Sequence, residues 1–169
     1  MPLPADECNP DFRDLFAVFN AEGVRYLVIG GYAFAFHRRP RTTKDIDIWV
    51  EPTEANAAKV LRALRRFGAP EEHFTQEDFQ ARGTVLHIGV APNRIDLLTD
   101  PAGLSFEEAW RERLDDFYGN EPVHVIGREH FIRSKRAAGR RQDLLDIALL
   151  EKARPTKKSA ARKRKERPK

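Results

Sequence analysis

The segment Asp45-Ile46-Asp47-Ile48-Trp49-Val50 constrains this chain more than any other. Successive side chains of a strand point to opposite faces, so Asp45 and Asp47 share one face and Ile46, Ile48 and Val50 the other. One face belongs to a core; the other carries two neighbouring carboxylates. Such a pair repels, and a cation placed between the two relieves the repulsion. Upstream, Tyr26-Leu27-Val28-Ile29 is a short apolar run that stops at Gly30-Gly31, and Tyr32 to His37 is apolar enough for one or two helical turns. A glycine pair between a strand and a helix offers bare backbone N–H groups to an anion. A phosphate cradle beside metal-binding carboxylates points to chemistry on a nucleotide.

The rest of the chain reads as an α/β (α+β) domain, a small mixed sheet flanked by helices. Asn9-Pro10 pairs a capping residue with a proline at the first helical position. Phe12, Leu15, Phe16 and Phe19 then recur at helical spacing, and Gly23 ends that helix. Strands are predicted at about 25–29 and 45–50, with a helix at about 31–38 between them. Pro52-Thr53 opens a helix with Val60, Leu61, Leu64 and Phe67 on one face and Gly68 as its stop. Thr75-Gln76-Glu77-Asp78 has the capping-box form and predicts a short helix over 75–81. Val85–Val90 and Arg94–Leu98 predict an antiparallel hairpin. Ser105-Phe106-Glu107-Glu108 predicts a helix to about Leu114, followed by a short strand over 123–126. Two helices are expected at about 128–138 and 141–152, broken at Gly139.

Charge divides the chain. Residues 152–169 hold ten Lys/Arg and one Glu, whereas residues 1–151 hold 20 Lys/Arg against 25 Asp/Glu, a net of −5. The expected organisation is a disordered segment over 1–9, a domain over 10–152 and a flexible basic tail over 153–169, since such a tail has too little apolar surface to fold alone. The basic stretch 152–169 is a candidate contact to tRNA or other nucleic acid, through counterion release; the bland alternative is a solubilising extension. The single cysteine, Cys8, excludes an intrachain disulfide and a Cys-rich zinc site. No apolar run approaches the roughly 20 residues of a membrane span, and the start Met-Pro-Leu-Pro-Ala-Asp-Glu lacks the pattern of a signal peptide, so a cytoplasmic protein without membrane contact is expected.

Asp45, Asp47 and Asp96 form the central constellation. Three carboxylates on neighbouring strands suit one or two Mg²⁺ ions, or Mn²⁺, through oxygen ligands. Metal at an α-phosphate suits in-line attack by a hydroxyl, and Asp96 is the candidate to take the hydroxyl proton. The bland alternative is three solvated acids at strand ends. His37, His87, Trp49 and Trp110 read as structural or surface residues.

Gly30-Gly31, thirteen residues, Asp45-Ile46-Asp47-Ile48 and the later Ile95-Asp96-Leu97 together resemble the nucleotidyltransferase superfamily of DNA polymerase β type. The form G-G-Y-A-F-A-F-H-R-R-P-R-T-T-K-D-I-D-I is similar to the branch that contains the AbiEii-type toxins of abortive-infection systems. F-I-R-S-K-R-A-A-G-R-R-Q-D-L-L-D-I resembles that branch's later motifs, which fall here on Lys135 and Asp143, with Asp146 one turn on. The resemblance implies transfer of a nucleoside monophosphate from a nucleoside triphosphate to a hydroxyl acceptor with Mg²⁺. Asp45, Asp47 and Asp96 would hold the metal. Lys135 would neutralise triphosphate charge and Asp143 would orient Lys135 or an active-site loop. Gly30 and Gly31 would cradle phosphate, and Arg41, Thr43 and Lys44 beside the first motif are candidate contacts to triphosphate or an RNA backbone, with a solvated loop as the equal alternative. Many superfamily members carry Gly-Ser where this chain has Gly30-Gly31, so one hydroxyl contact to phosphate is missing. The acceptor stays open among RNA such as a tRNA 3′ end, a protein hydroxyl, and a small molecule such as an aminoglycoside. A cognate antitoxin is a candidate partner. The alternative from another class is a nucleotide- or nucleic-acid-binding module that acts within a toxin–antitoxin pair without turnover.

Overall fold

The computed structural model describes residues 8–37, 45–90, 93–101 and 103–152. Helix α1 spans Pro10–Ala21; the Asn9 side chain accepts from the Asp11 N–H, and Phe12, Leu15, Phe16 and Phe19 are all buried. Strand β1 (Tyr26–Ile29) runs into helix α2 (Gly30–His37), and strand β2 (Ile46–Val50) into helix α3 (Glu54–Phe67). Thr53 caps α3 by accepting from the Asn56 N–H, and Gly68 ends it at a left-handed φ of 91°. Strands β3 (Val85–Ile88) and β4 (Ile95–Leu98) form the expected hairpin. Helix α4 (Phe106–Arg111), strands β5 (Leu114–Tyr118) and β6 (Glu121–Val125), and helices α5 (Arg128–Ala138) and α6 (Arg141–Lys152) complete the order.

The six strands make one mixed sheet in the order β3-β4-β2-β1-β6-β5. β2 is antiparallel to β1 and parallel to β4, and β1 is parallel to β6. The alternation in the sequence divides the faces. Ile46, Ile48 and Val50 join Tyr26, Val28, Ile95 and Leu97 in the main core with the apolar stripes of α1 and α3. On the opposite face, Leu27 and Trp49 pack with Phe106 and Ala109 of α4 in a smaller cluster. Asp47 shares that second face, two residues before Trp49.

Two expectations are corrected. The helix predicted to reach Leu114 stops at Arg111, and 114–118 is a strand paired antiparallel with β6. Gly119-Asn120 is the two-residue connection that closes this hairpin, with Gly119 at φ 61°, and Tyr118 buries its ring under the core. The capping box at Thr75 does form, with Thr75 N–H donating to Asp78 and Asp78 N–H to Thr75 Oγ, but it caps only a 3₁₀ turn over Glu77–Phe79. Among the described residues no helix is long and apolar enough to cross a membrane.

Asn56, buried in the first turn of α3, ties the sheet to that helix. Its Oδ1 accepts from the Arg25 N–H at 2.8 Å and its Nδ2 donates to the carbonyls of Arg25 and Glu51. Those carbonyls each keep a backbone donor, the Glu51 and Thr53 N–H groups, so only the Arg25 N–H depends on the side chain. Asn56→Ala is expected to lower stability by about 2 kcal/mol, the cost of one stranded donor plus lost bonds. Urea unfolding should show a lower midpoint with an unchanged slope.

Candidate active site

The parallel pairing of β2 and β4 sets Asp47 directly beside Asp96, while the antiparallel pairing of β1 and β2 sets Asp47 opposite Ile29. Asp45 lies immediately before β2 on the same face. The sheet therefore gathers the three aspartates that the sequence singled out. It also brings the β1–α2 junction against them. Gly30 has φ 65°, and a Cβ placed on it would run into Asp47 Oδ2, with Asp47 Cγ only 3.0 Å away. Gly30 is thus required twice, by its backbone angle and by the closeness of the carboxylate. Gly31 follows it in the first turn of α2 without a positive φ.

The three carboxylates stand in different surroundings. Burial pushes Asp47 up to about 6, and the charges of Asp96 and Asp45 add to the effect; Lys135 and Arg94 oppose it. No described residue donates a hydrogen bond to Asp47. Asp96 is engaged on both oxygens. Arg94 Nε donates to Oδ1 at 2.8 Å and Arg94 Nη2 to Oδ2 at 3.0 Å, while His87 Nδ1 lies 2.6 Å from Oδ1. Burial alone would raise Asp96, yet these two partners outweigh it and hold the carboxyl below its ordinary range. Arg94 Nη2 also reaches Asp45 Oδ2 at 3.6 Å. The guanidinium thus stands as a cation between the outer two aspartates and leaves the inner one without a hydrogen-bond donor.

That arrangement bears on whether a metal fits. Among the described residues no three His, Cys, Asp or Glu side chains converge as they would around an ion. The chemistry of the donor set fits Mg²⁺ or Mn²⁺ nonetheless: three carboxylates on one face, the middle one half-buried and without a donor, and a site already attractive enough to hold a guanidinium. Rotation of Arg94 away from Asp45 and Asp96 would free the oxygens.

Lys135 and Asp143 come together as well. Lys135 Nζ donates to Asp143 Oδ1 at 2.9 Å and to Asp146 Oδ2 at 3.3 Å, and both aspartates are buried. Lys135 is close enough to Asp47 to pull its carboxyl down. Arg41, Thr43 and Lys44 lie outside the described residues, as does most of the basic stretch 152–169. His37 Nε2 donates to Ile126 O at 2.7 Å, and Trp49 Nε1 donates to Thr99 O, so both pack as expected.

Arg94 and His87 are the site residues that sequence reasoning missed. Arg94 and Asp96 are two apart on one strand and so share a face. His87 faces Asp96 because the hairpin register pairs them. The first signal was legible in Arg94-Ile95-Asp96; the second needed the register, which a connection of uncertain length did not fix.

No protein-family model matches the chain, and no curated protein matches it in sequence. Solved structures do. One is a lincosamide antibiotic adenylyltransferase, LnuA, with lincomycin bound (TM-score 0.55, 17% identity, covering 83% of this chain and 94% of that one). Another is ANT(2")-Ia in complex with adenylyl-2"-tobramycin (TM-score 0.54, 14% identity, 90% and 95%). A third is an antigenic nucleotidyltransferase-like protein from Paracoccidioides brasiliensis (TM-score 0.53, 14% identity, 89% and 78%). At such identities the likeness is one of fold, and the fold this chain has is that of the nucleotidyltransferases.

Proposed function

We propose that this chain transfers a nucleoside monophosphate from a nucleoside triphosphate to a hydroxyl group of a small, hydroxylated acceptor. The observation that carries the reading is Asp47, half-buried without a hydrogen-bond donor between Asp45 and Asp96, with Lys135 acting on it from α5. Burying a carboxylate among carboxylates is costly, and a site that binds metal and phosphate accounts for the cost. A Mg²⁺ or Mn²⁺ ion held by Asp45, Asp47 and Asp96 would supply Lewis-acid charge at the α-phosphate. The acceptor oxygen bonds to the α-phosphorus as the bond to pyrophosphate breaks. Lys135 offsets charge on the leaving group. Asp96 takes the acceptor proton once Arg94 has turned away; bound bidentately to Arg94 it is too weak a base.

The small acceptor is favoured by the fold neighbours, whose names carry lincomycin and adenylyl-tobramycin. A second reading, transfer to tRNA or another macromolecule in the manner of an AbiEii-type toxin, is favoured by the G-G…D-I-D-I form and by the ten Lys/Arg of 152–169. One experiment separates them. Purified protein is incubated with Mg²⁺ or Mn²⁺ and each α-labelled nucleoside triphosphate, with a panel of aminoglycosides and lincosamides, total tRNA, or lysate protein as acceptor. The Asp45→Ala/Asp47→Ala variant is run alongside. Label on a small molecule, lost in the variant, is the expected result. Label on tRNA or protein would replace the acceptor assignment. Binding of nucleotide without transfer to any acceptor would favour a non-catalytic module.

A further inference from the structure

We infer that Arg140 is a second phosphate-binding cation, which Asp143 holds so that its guanidinium fork meets the terminal phosphate of a nucleoside triphosphate. The inference rests on the nucleotidyl-transfer reading above and adds a residue that selects triphosphate over diphosphate. Arg140 is the residue before α6, at the turn made by Gly139 in the left-handed conformation. Asp143 is 1% exposed, and each of its oxygens is committed. Oδ1 accepts from Lys135 Nζ; Oδ2 accepts from Arg140 Nε at 2.8 Å and from the Arg140 N–H at 3.2 Å. One buried carboxylate thus fixes two cations, one from α5 and one from the turn before α6.

Fixing Arg140 through Nε leaves its two terminal nitrogens facing outward. No described residue accepts from them, and the side chain is 76% exposed. A guanidinium pinned at Nε and open at both Nη atoms is a planar fork with the geometry of a phosphate edge. Lys135 in turn has spent two of its three donors, on Asp143 and Asp146. Gln142 Nε2 donates to the other Asp146 oxygen at 2.8 Å and holds that carboxylate in place.

Position relative to the aspartates assigns the order of contacts. Lys135 and Arg140 bind opposite oxygens of the one Asp143 carboxylate, with Lys135 14% exposed as the inner cation and Arg140 76% exposed as the outer one. Two cations held side by side, one inner and one outer, match successive phosphates of one chain. Lys135 and Arg140 are balanced in charge by Asp143 and Asp146, so the pair offers directed donors and little net charge. That favours discrimination by geometry over bulk attraction.

A structural role for Arg140 would give a different result. Asp143 also caps α6 by accepting the Arg140 N–H, a bond that any residue at 140 other than proline keeps. The test is calorimetric titration of the full chain, in Mg²⁺, with each of the four common nucleoside triphosphates and its diphosphate, on wild type, Arg140→Ala, Arg140→Lys and Arg136→Ala. Arg136 pairs with Glu151 on the exposed side of the same helix pair and controls for loss of one positive charge. Arg140→Ala is expected to weaken triphosphate binding about tenfold or more, the usual worth of a charge-assisted bond, and diphosphate binding less than twofold. Arg140→Lys should recover only part of the triphosphate preference, because an ammonium lacks the fork. Arg136→Ala should leave both affinities within about twofold. Equal losses for triphosphate and diphosphate, or none, in Arg140→Ala would overturn the inference and leave the transfer reading intact. No nucleotide binding by the wild type would overturn both.

Discussion

Asp47→Asn is expected to stabilise the metal-free protein at pH 8 and, in the same step, to abolish nucleotidyl transfer. Asp47 is pushed from its ordinary 3.8 up to about 6, first by burial and then by the charges of Asp96 and Asp45. The folded state therefore holds a proton on Asp47 that the unfolded chain releases between about pH 4 and 6. Stability falls as pH rises through that window, because the unfolded state binds fewer protons than the folded one there. Above pH 6 the accumulated penalty is about 3 kcal/mol, at 1.36 kcal/mol per pH unit of displacement. An asparagine escapes the penalty, and its amide can donate to the flanking carboxylates. Thermal unfolding at pH 8 should shift upward by roughly 5–10 °C in the variant, for a domain of this size. At pH 4 the two proteins should unfold at the same temperature. Mg²⁺ should raise the wild-type midpoint above pH 6 and leave Asp47→Asn unmoved, since binding to the folded state alone stabilises it by mass action. Transfer should fall by about 10³-fold, the scale of losing one preorganised electrostatic contact to the reacting phosphate. Coincident pH profiles for the two proteins would remove the claim that burial and the neighbouring carboxylates hold Asp47 above its ordinary range.

Much of this was legible because alternation in a strand is strict. The run from Asp45 to Val50 assigned a face to every residue, and the core and the acidic cluster lie on those faces. Helices α1 and α3 were equally open to reading, with caps at Asn9 and Thr53 and apolar stripes at helical spacing. What the sequence could not display was set by partners distant along the chain. Strand β5, Leu-Asp-Asp-Phe-Tyr, has two adjacent acids and little periodicity; pairing with β6 makes it a strand. His87 meets Asp96 only through the β3–β4 register, and Arg94 closes on Asp45 only because β2 and β4 lie side by side. The glycine pair was read as a phosphate cradle, and that reading concerns a ligand. The structure adds a reason that concerns the protein itself: at Gly30, where β1 turns into α2, Asp47 leaves no room for a Cβ.

Gly30→Ala carries the second large expected effect, and a double-mutant cycle divides it into its causes. An alanine at Gly30 must adopt φ 65°, a conformation that costs an L-residue about 1–2 kcal/mol. Its Cβ must also displace the Asp47 carboxylate, and overpacking of that kind costs about 1–3 kcal/mol more. Together these predict a loss of about 2–5 kcal/mol, visible as a lower urea midpoint. In an Asp47→Ala background the carboxylate is gone. Only the remaining Cβ, 3.1 Å from the added methyl, has to yield, by a few tenths of an ångström. The cost of Gly30→Ala should then shrink toward the conformational part alone, and the difference between the two backgrounds measures the contact. The same contact governs activity. Moving Asp47 by about an ångström should lower transfer by about 10²-fold, even under conditions where Gly30→Ala is fully folded. Gly31→Ala has no positive φ to satisfy and should cost less than about 1 kcal/mol, so the pair should behave unequally although both are glycine. Additive costs in the cycle would mean that Gly30 serves the turn alone. Non-additive costs would mean that the turn and the carboxylate are one device, in which the bend of the chain into α2 is what holds Asp47 against its two charged neighbours.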